Sequence, residues 1–220
     1  MATTKLRRYE FTLAGRQPLL MHADDVEAAD ELEAWRKDPD KRKASKAGDD
    51  RSPAWTWQSY CYTDGEHLAW PAENLMVALR SAGAQLILKK QKTFKEMTQS
   101  GLIVETEFAQ LLVKGKPIPL AALKEMRDKS FSEQSKHAAK LGFRLWAKRA
   151  RVGQAKHVRV RPRFDEWSMR GVIVVVSPEI TAEILTQLFT LAGNVGTGDW
   201  RPGCRTPGVY GQFDAALKEI

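Results

Sequence analysis

The last third of the chain leaves the fewest ways to fold. Val172 to Val176 is a β-branched run too dense for a strand with one face in water, and Ser177-Pro178 stops it. Thr181 to Ala192 then places Ile184, Leu185, Leu188, Phe189 and Ala192 on one apolar helix face. A loop carrying Gly193, Gly196, Gly198, Gly203, Gly208 and Gly211 follows, and Tyr210 to Leu217 supplies a closing strand. Near the other end, Arg8 to Leu13 alternates, with Tyr9, Phe11 and Leu13 on one face and Arg8, Glu10 and Thr12 on the other. That is the period of a half-buried strand.

Between these ends, Asp24 to Trp35 spaces Val26, Ala29, Leu32 and Trp35 as a helix that Asp24 or Asp25 would cap. Lys37 to Ser52 has the composition of a mobile loop. Trp55 to Tyr62, Asp64-Gly65 and His67 to Trp70 read as a hairpin, because Asp-Gly readily takes positive φ angles. Pro71 opens a helix with Leu75, Met76, Leu79 and Ala82 on one face, ending at Gly83 or resuming from Leu86 to Met97. Leu102 to Val113 reads as a strand closed by Gly115 and Pro117, and Leu120 to Met126 as a short helix. Without the polar insertions the order is strand, helix, strand, taken twice. The expectation is an α+β fold: a ferredoxin-like or RNA-recognition-like βαββαβ core with a C-terminal glycine-rich loop. It forms one domain over residues 1–220, with insertions at about 20–70 and 114–166 protruding as two lobes.

Charge is concentrated rather than spread. The formal net charge is +8, yet Lys136, Lys140, Arg144, Lys148, Arg149, Arg151, Lys156, Arg159, Arg161 and Arg163 fall in one stretch, to Phe164, with no Asp or Glu. Such a block repels itself unless an anion lies against it, and nucleic acid is the commonest polyanion. Interleaved Phe143, Trp146, Val158, Val160 and Phe164 mark a folded surface, with Phe143 and Trp146 serving either as core or as contacts. From Lys156 to Arg163, alternation places Val158 and Val160 on one side and Arg159, Arg161 and Arg163 on the other, an arginine comb able to touch successive phosphates. Reversing Arg159 and Arg161 is expected to abolish binding and leave the fold intact.

Other classes are disfavoured. Cys61 and Cys204 form no CxxC pair, so neither a disulfide framework nor a zinc ribbon is indicated. There is no HExxH and no Gly-Lys-Ser/Thr beside Gly196-x-Gly198, so neither a metal nor a nucleotide cofactor is expected. The N-terminus lacks an apolar signal core and no apolar run approaches the roughly 20 residues that span a bilayer, which implies a cytoplasmic protein without a membrane partner.

Two segments resemble a known family. His67-Leu68-Ala69-Trp70-Pro71-Ala72-Glu73-Asn74-Leu75-Met76-Val77-Ala78-Leu79-Arg80 is similar to the strand-Pro-x-x-x-Leu-x-x-x-Leu-Arg opening of the first helix in the RAMP superfamily, the RNA-binding backbone subunits and processing nucleases of CRISPR systems. Gly196-Thr197-Gly198-Asp199-Trp200-Arg201 through Gly208-Val209-Tyr210-Gly211-Gln212-Phe213 resembles that family's glycine-rich loop. Where the family has Gly-Ser-Ser after the proline, this chain has Ala72-Glu73-Asn74, the mark of a remote or phage-borne relative. The resemblance implies a subunit that coats single-stranded guide RNA by head-to-tail assembly into helical or filamentous copies of itself, alongside other CRISPR effector subunits.

Chemistry alone gives the loop a role in such a protein. Glycines let amide N–H groups approach phosphates, Arg201 and Arg205 add charge, and Trp200 or Tyr210 offers a stacking face, with Arg80 at the end of the first helix. Three other readings stay open. An endoribonuclease would use His22 as a general acid or base, or Asp24 and Asp25 with a metal, where the resembling family keeps such groups. A phage single-stranded DNA-binding or annealing protein would use the same cations, and a structural subunit would meet only protein.

Overall fold

The computed structural model describes residues 6–43, 48–152 and 155–220. It is an α+β protein of helices and antiparallel sheets that divides into two compact units. The first comprises Met1–Leu19, Ala69–Pro117 and Asp165–Ile220; the second, Leu20–Leu68 and Ile118–Phe164. The two stretches expected to protrude separately therefore make up one body.

The first unit is built on β1 (Arg7–Gly15), α1 (Ala72–Gly83), β2 (Leu102–Val104), β3 (Trp167–Val175), α2 (Ala182–Val195) and β4 (Phe213–Glu219). β1 lies between β4 and β3, β2 adds to the far edge of β3, and every pairing is antiparallel, so the order is β4-β1-β3-β2. Alternation puts Tyr9, Phe11 and Leu13 in the core with Met169, Ile173 and Phe213. The buried faces of the helices (Leu75, Ala78, Leu79 and Ala82 on α1; Leu185, Leu188, Phe189 and Ala192 on α2) complete it. Phe11 stands opposite Gly171, where a Cβ would come within 2.5 Å of its ring, and its centroid is 5.9 Å from that of Phe189. Thr181 caps α2 by accepting from the Ile184 amide at 3.3 Å.

Three local expectations change here. The helix does not resume after Gly83: Ile87–Lys89 and Lys92–Thr93 form a hairpin turning through Lys90 at φ +53°, and a new helix covers Lys95–Gly101. The run from Leu102 to Val113 is three short strands, because the Thr106 hydroxyl takes the Val172 amide at 2.8 Å where a main-chain carbonyl would continue the ladder. Phe108–Gln110 then pairs with Ala69–Pro71, and Leu112–Val113 with the start of β3. The closing strand begins at Phe213 rather than Tyr210, since Gly211 (φ +70°) donates to Pro18 O at 2.8 Å and Gln212 O accepts from Arg16 and Gln17. No helix among the described residues is long and apolar enough to cross a membrane.

In the second unit, Val26–Lys37 is the expected helix, with Asp25 at its cap accepting from the Ala28 amide at 3.0 Å. Trp55 to Tyr62 is not a strand: Thr56–Tyr60 forms a 3-10 turn, because the Thr56 and Ser59 hydroxyls bond back to Pro53 O and Thr56 O at 2.8 and 2.7 Å. The Asp64-Gly65 turn does form, with Asp64 accepting from the Glu66 and His67 amides, which holds its carboxyl below the usual range. Within the basic block, Phe131–Lys140 is helical, started by a reciprocal Ser130–Glu133 capping box. The rest of the block is an antiparallel ribbon, Arg144–Val152 against Ala155–Phe164, the second of which also pairs with the short strand Leu19–Leu20.

The core of this unit contains Trp57, Phe143 and Phe164, with successive ring centroids 5.7 and 5.2 Å apart, so Phe143 is core. Fully buried Gln134 accepts from the Trp57 indole at 2.6 Å and donates to Arg127 O and Lys129 O at 3.1 and 2.8 Å. Replacing Gln134 with Leu removes the acceptor of the buried Trp57 indole and the donor to two carbonyls. Urea denaturation should show a loss of about 2–4 kcal/mol, against about 1 kcal/mol for Ser130→Ala at the cap.

Candidate nucleic-acid interface

Strand periodicity sorts the ribbon into two faces. One carries Phe143 and Phe164 at its root, buried with Val160, and Arg149, Arg151 and Lys156 exposed farther out. The other carries Arg144, Trp146 and Lys148 on one strand and Arg159, Arg161 and Arg163 on its neighbour. Register sets cation directly against cation: Arg144 faces Arg163, Lys148 faces Arg159, and Arg151 faces Lys156. Cations set side by side in this way concentrate positive potential on the ribbon. Trp146 is half-buried, with the Lys148 ammonium 5.7 Å from its ring centroid.

The outer edge of the Ala155–Phe164 strand is covered by residues expected to be mobile. Val158 donates to Gly48 O at 2.8 Å, and Asp50 donates to Val158 O at 2.9 Å. The Asp50 carboxylate, 5% exposed, then accepts from the Val160 amide (3.1 Å), Arg159 (3.1 Å), Arg161 (3.4 Å) and the Tyr60 hydroxyl (3.3 Å). Asp49 makes a separate two-point pair with Arg51 at 2.7 and 2.9 Å. The loop residues 44–47 lie outside the described residues.

Asp50 changes the reading of the comb. Arg161 is only 4% exposed, its guanidinium 4.2 Å from the Tyr60 ring centroid and its Nη1 bonded to Val160 O at 3.1 Å. It is a structural arginine, and reversing its charge would set two carboxylates against each other in the interior, so it is no surface probe. Arg159, with a side chain 30% exposed, is shared between Asp50 and solvent. Arg144, Lys148, Arg149, Arg151 and Lys156 are exposed, and Arg163 is half-buried.

His22 is exposed, its ring edge-on to Tyr60 (5.0 Å, 84°) and 3.3 Å from Arg161 Nη2. Asp24 and Asp25 are exposed, with Asp25 engaged as the helix cap. Among the described residues, no group of three or more His, Cys, Asp or Glu is placed to hold a metal ion.

The glycine-rich loop belongs to the first unit. Gly196 (φ +75°) donates to Ala192 O, Thr197 to Gly211 O at 2.9 Å, and Gly208 to Arg201 O at 3.2 Å, so these amides serve the loop itself. A Cβ on Gly208 or Gly211 would come within 2.0 Å of Trp200 O or 1.7 Å of Thr197 O. Close passage of main chain past main chain is what excludes a side chain at these two positions. Thr197 Oγ1 accepts from the buried Trp70 indole at 3.1 Å, and Arg201 Nη1 donates to Gly198 O at 2.9 Å. Gly198 (φ +82°) and Trp200 (φ +48°) are half-buried, and Arg205 is exposed, as is Arg80 in the last turn of α1. Sequence reasoning missed Asp50 and Tyr60, whose only signal was a carboxylate pair, Asp49-Asp50, in an otherwise apolar-poor stretch.

Compared with known proteins, the chain matches no family model and no curated sequence.

Burial, followed by the Asp50 carboxylate, holds the Tyr60 phenol above its ordinary 10.0. The folded state thus favours the neutral phenol; its contribution is complete below pH 10.0 and disappears as pH rises through the folded value. Alkaline unfolding followed by absorbance should show this loss in the native protein and a smaller one in Tyr60→Phe. Asp50→Asn removes the carboxylate held beside the buried Arg161 guanidinium and should cost about 3–5 kcal/mol in urea denaturation.

Proposed function

We propose that the chain binds single-stranded nucleic acid, RNA foremost, as a backbone-type subunit related to the RAMP superfamily. The observation that carries the reading is the register of the basic ribbon, which sets Arg144 beside Arg163 and Lys148 beside Arg159 on one face, and Arg151 beside Lys156 on the other, over a stretch of sequence without a carboxylate. Phosphates laid along such a cation-rich surface release counterions. Half-buried Trp146, amid the cations, offers a base a stacking surface.

The first unit supports the same proposal from its topology. Strand order β4-β1-β3-β2, antiparallel throughout, with α1 and α2 packed together, supports the reading of this unit as a ferredoxin-like or RNA-recognition-like core. The segment ending in Arg80 runs into α1, and the loop from Gly196 to Gly211 joins α2 to β4, which is compatible with the resemblance and supports the reading. Head-to-tail copies along one RNA, with partner subunits of a CRISPR-like effector, complete the proposal.

The test is binding to a homopolymeric RNA oligonucleotide across a salt series. Lys148→Glu with Arg149→Glu should lower affinity by on the order of a hundredfold and flatten the slope of log K against log salt by about 1.4, at roughly 0.7 for each single-strand phosphate lost. Competition with DNA of the same sequence should favour RNA, through its 2′-hydroxyl. Native electrophoresis should turn small species into ladders when RNA is added. A wild-type protein with no affinity for either strand defeats the proposal.

A further inference from the structure

The first unit carries a second concentration of positive charge, on the hairpin that replaces the expected helix. We propose that Arg80, Lys89, Lys90, Lys92 and Lys95 form a separate phosphate-binding patch that takes the sugar-phosphate backbone of a single strand; the inference rests on the nucleic-acid reading above. All five are exposed. Among the described residues none has a carboxylate at ion-pair distance.

Two features of the patch are unfavourable for the protein alone. Lys89 faces Lys92 directly across the hairpin, like charge against like. Lys90 turns the chain at φ +53°, a left-handed conformation that a lysine adopts at a cost and that projects a third ammonium from the tip. Local choices that oppose stability and lack a compensating partner in the fold point to a ligand.

The surface is also shaped. Arg80 and Lys95 line a cavity of about 450 Å³ with Val77 and Ser81, and Lys92, Lys95, Gln91 and Glu96 border a neighbouring one of about 440 Å³. Lys95 is common to both. Ile87, 69% exposed beside the lysines, offers an apolar surface to a sugar or base. Cations tied to a hairpin and two helices, with an aliphatic surface between them, fit an extended phosphodiester chain.

The test compares wild type, Lys89→Gln/Lys90→Gln/Lys92→Gln and the ribbon variant Lys148→Glu/Arg149→Glu, each titrated with the same homopolymeric RNA over a salt series. Removing three hairpin cations should weaken binding about tenfold or more at low salt and reduce the salt slope by about 2. Thermal unfolding of that variant should be unchanged or shifted upward, because the opposed lysines are gone. Unaltered affinity and slope in the hairpin variant, with binding lost in the ribbon variant, overturns the patch and leaves the function standing. Absence of wild-type binding overturns both. Hairpin-dependent binding to phosphatidylserine vesicles in place of RNA assigns the lysines to a membrane and overturns the inference.

Discussion

A single buried carboxylate organises the basic ribbon. Asp50 accepts from two guanidiniums, a phenol and a strand amide, and so does three jobs at once. It closes the edge of the Ala155–Phe164 strand, which would otherwise offer unpaired main-chain groups to another chain. It neutralises part of a positive charge that could not be gathered on one ribbon without compensation. It fixes the plane of Arg161 over Tyr60, so that the exposed cations project from a rigid base. The positive surface exists because one negative group lies beneath it.

Much of the fold was legible because hydrophobic period speaks plainly where elements are long. β1 alternates cleanly, the β-branched run at 172–176 marks a strand covered on both faces, and α2 shows its apolar stripe. Reading failed where short-range hydrogen bonds outcompete period. The Thr56 and Ser59 hydroxyls curl an aromatic-rich stretch into a 3-10 turn, and Thr106 interrupts a strand by replacing the main chain in its ladder. Phe131–Lys140 has too few apolar residues to declare a helix by period, and its Ser130–Glu133 cap is the local sign of one.

The site was legible in charge and illegible in pairing. A run of cations without acids declares itself in sequence, but the distant acid that reaches it does not, since Asp50 stands about a hundred positions from its arginines. For the same reason Arg161 looked like its neighbours. Alternation gives the face of a side chain; only the fold shows what covers that face. The glycines of the 193–211 loop carry a similar lesson, since absence of a side chain serves close main-chain passage at Gly208 and Gly211 as readily as it would serve a ligand.

The second unit is discontinuous in sequence, yet its severed ends meet in pairs. The Leu68 amide bonds Ile118 O at 3.0 Å, and the Met21 amide bonds Pro162 O at 3.2 Å. Splicing residue 68 to residue 118 through a tight turn would therefore yield one uninterrupted polypeptide whose new beginning and end lie side by side. A body with that connectivity can be written as a single stretch of chain, with the ribbon and its buried acid inside it.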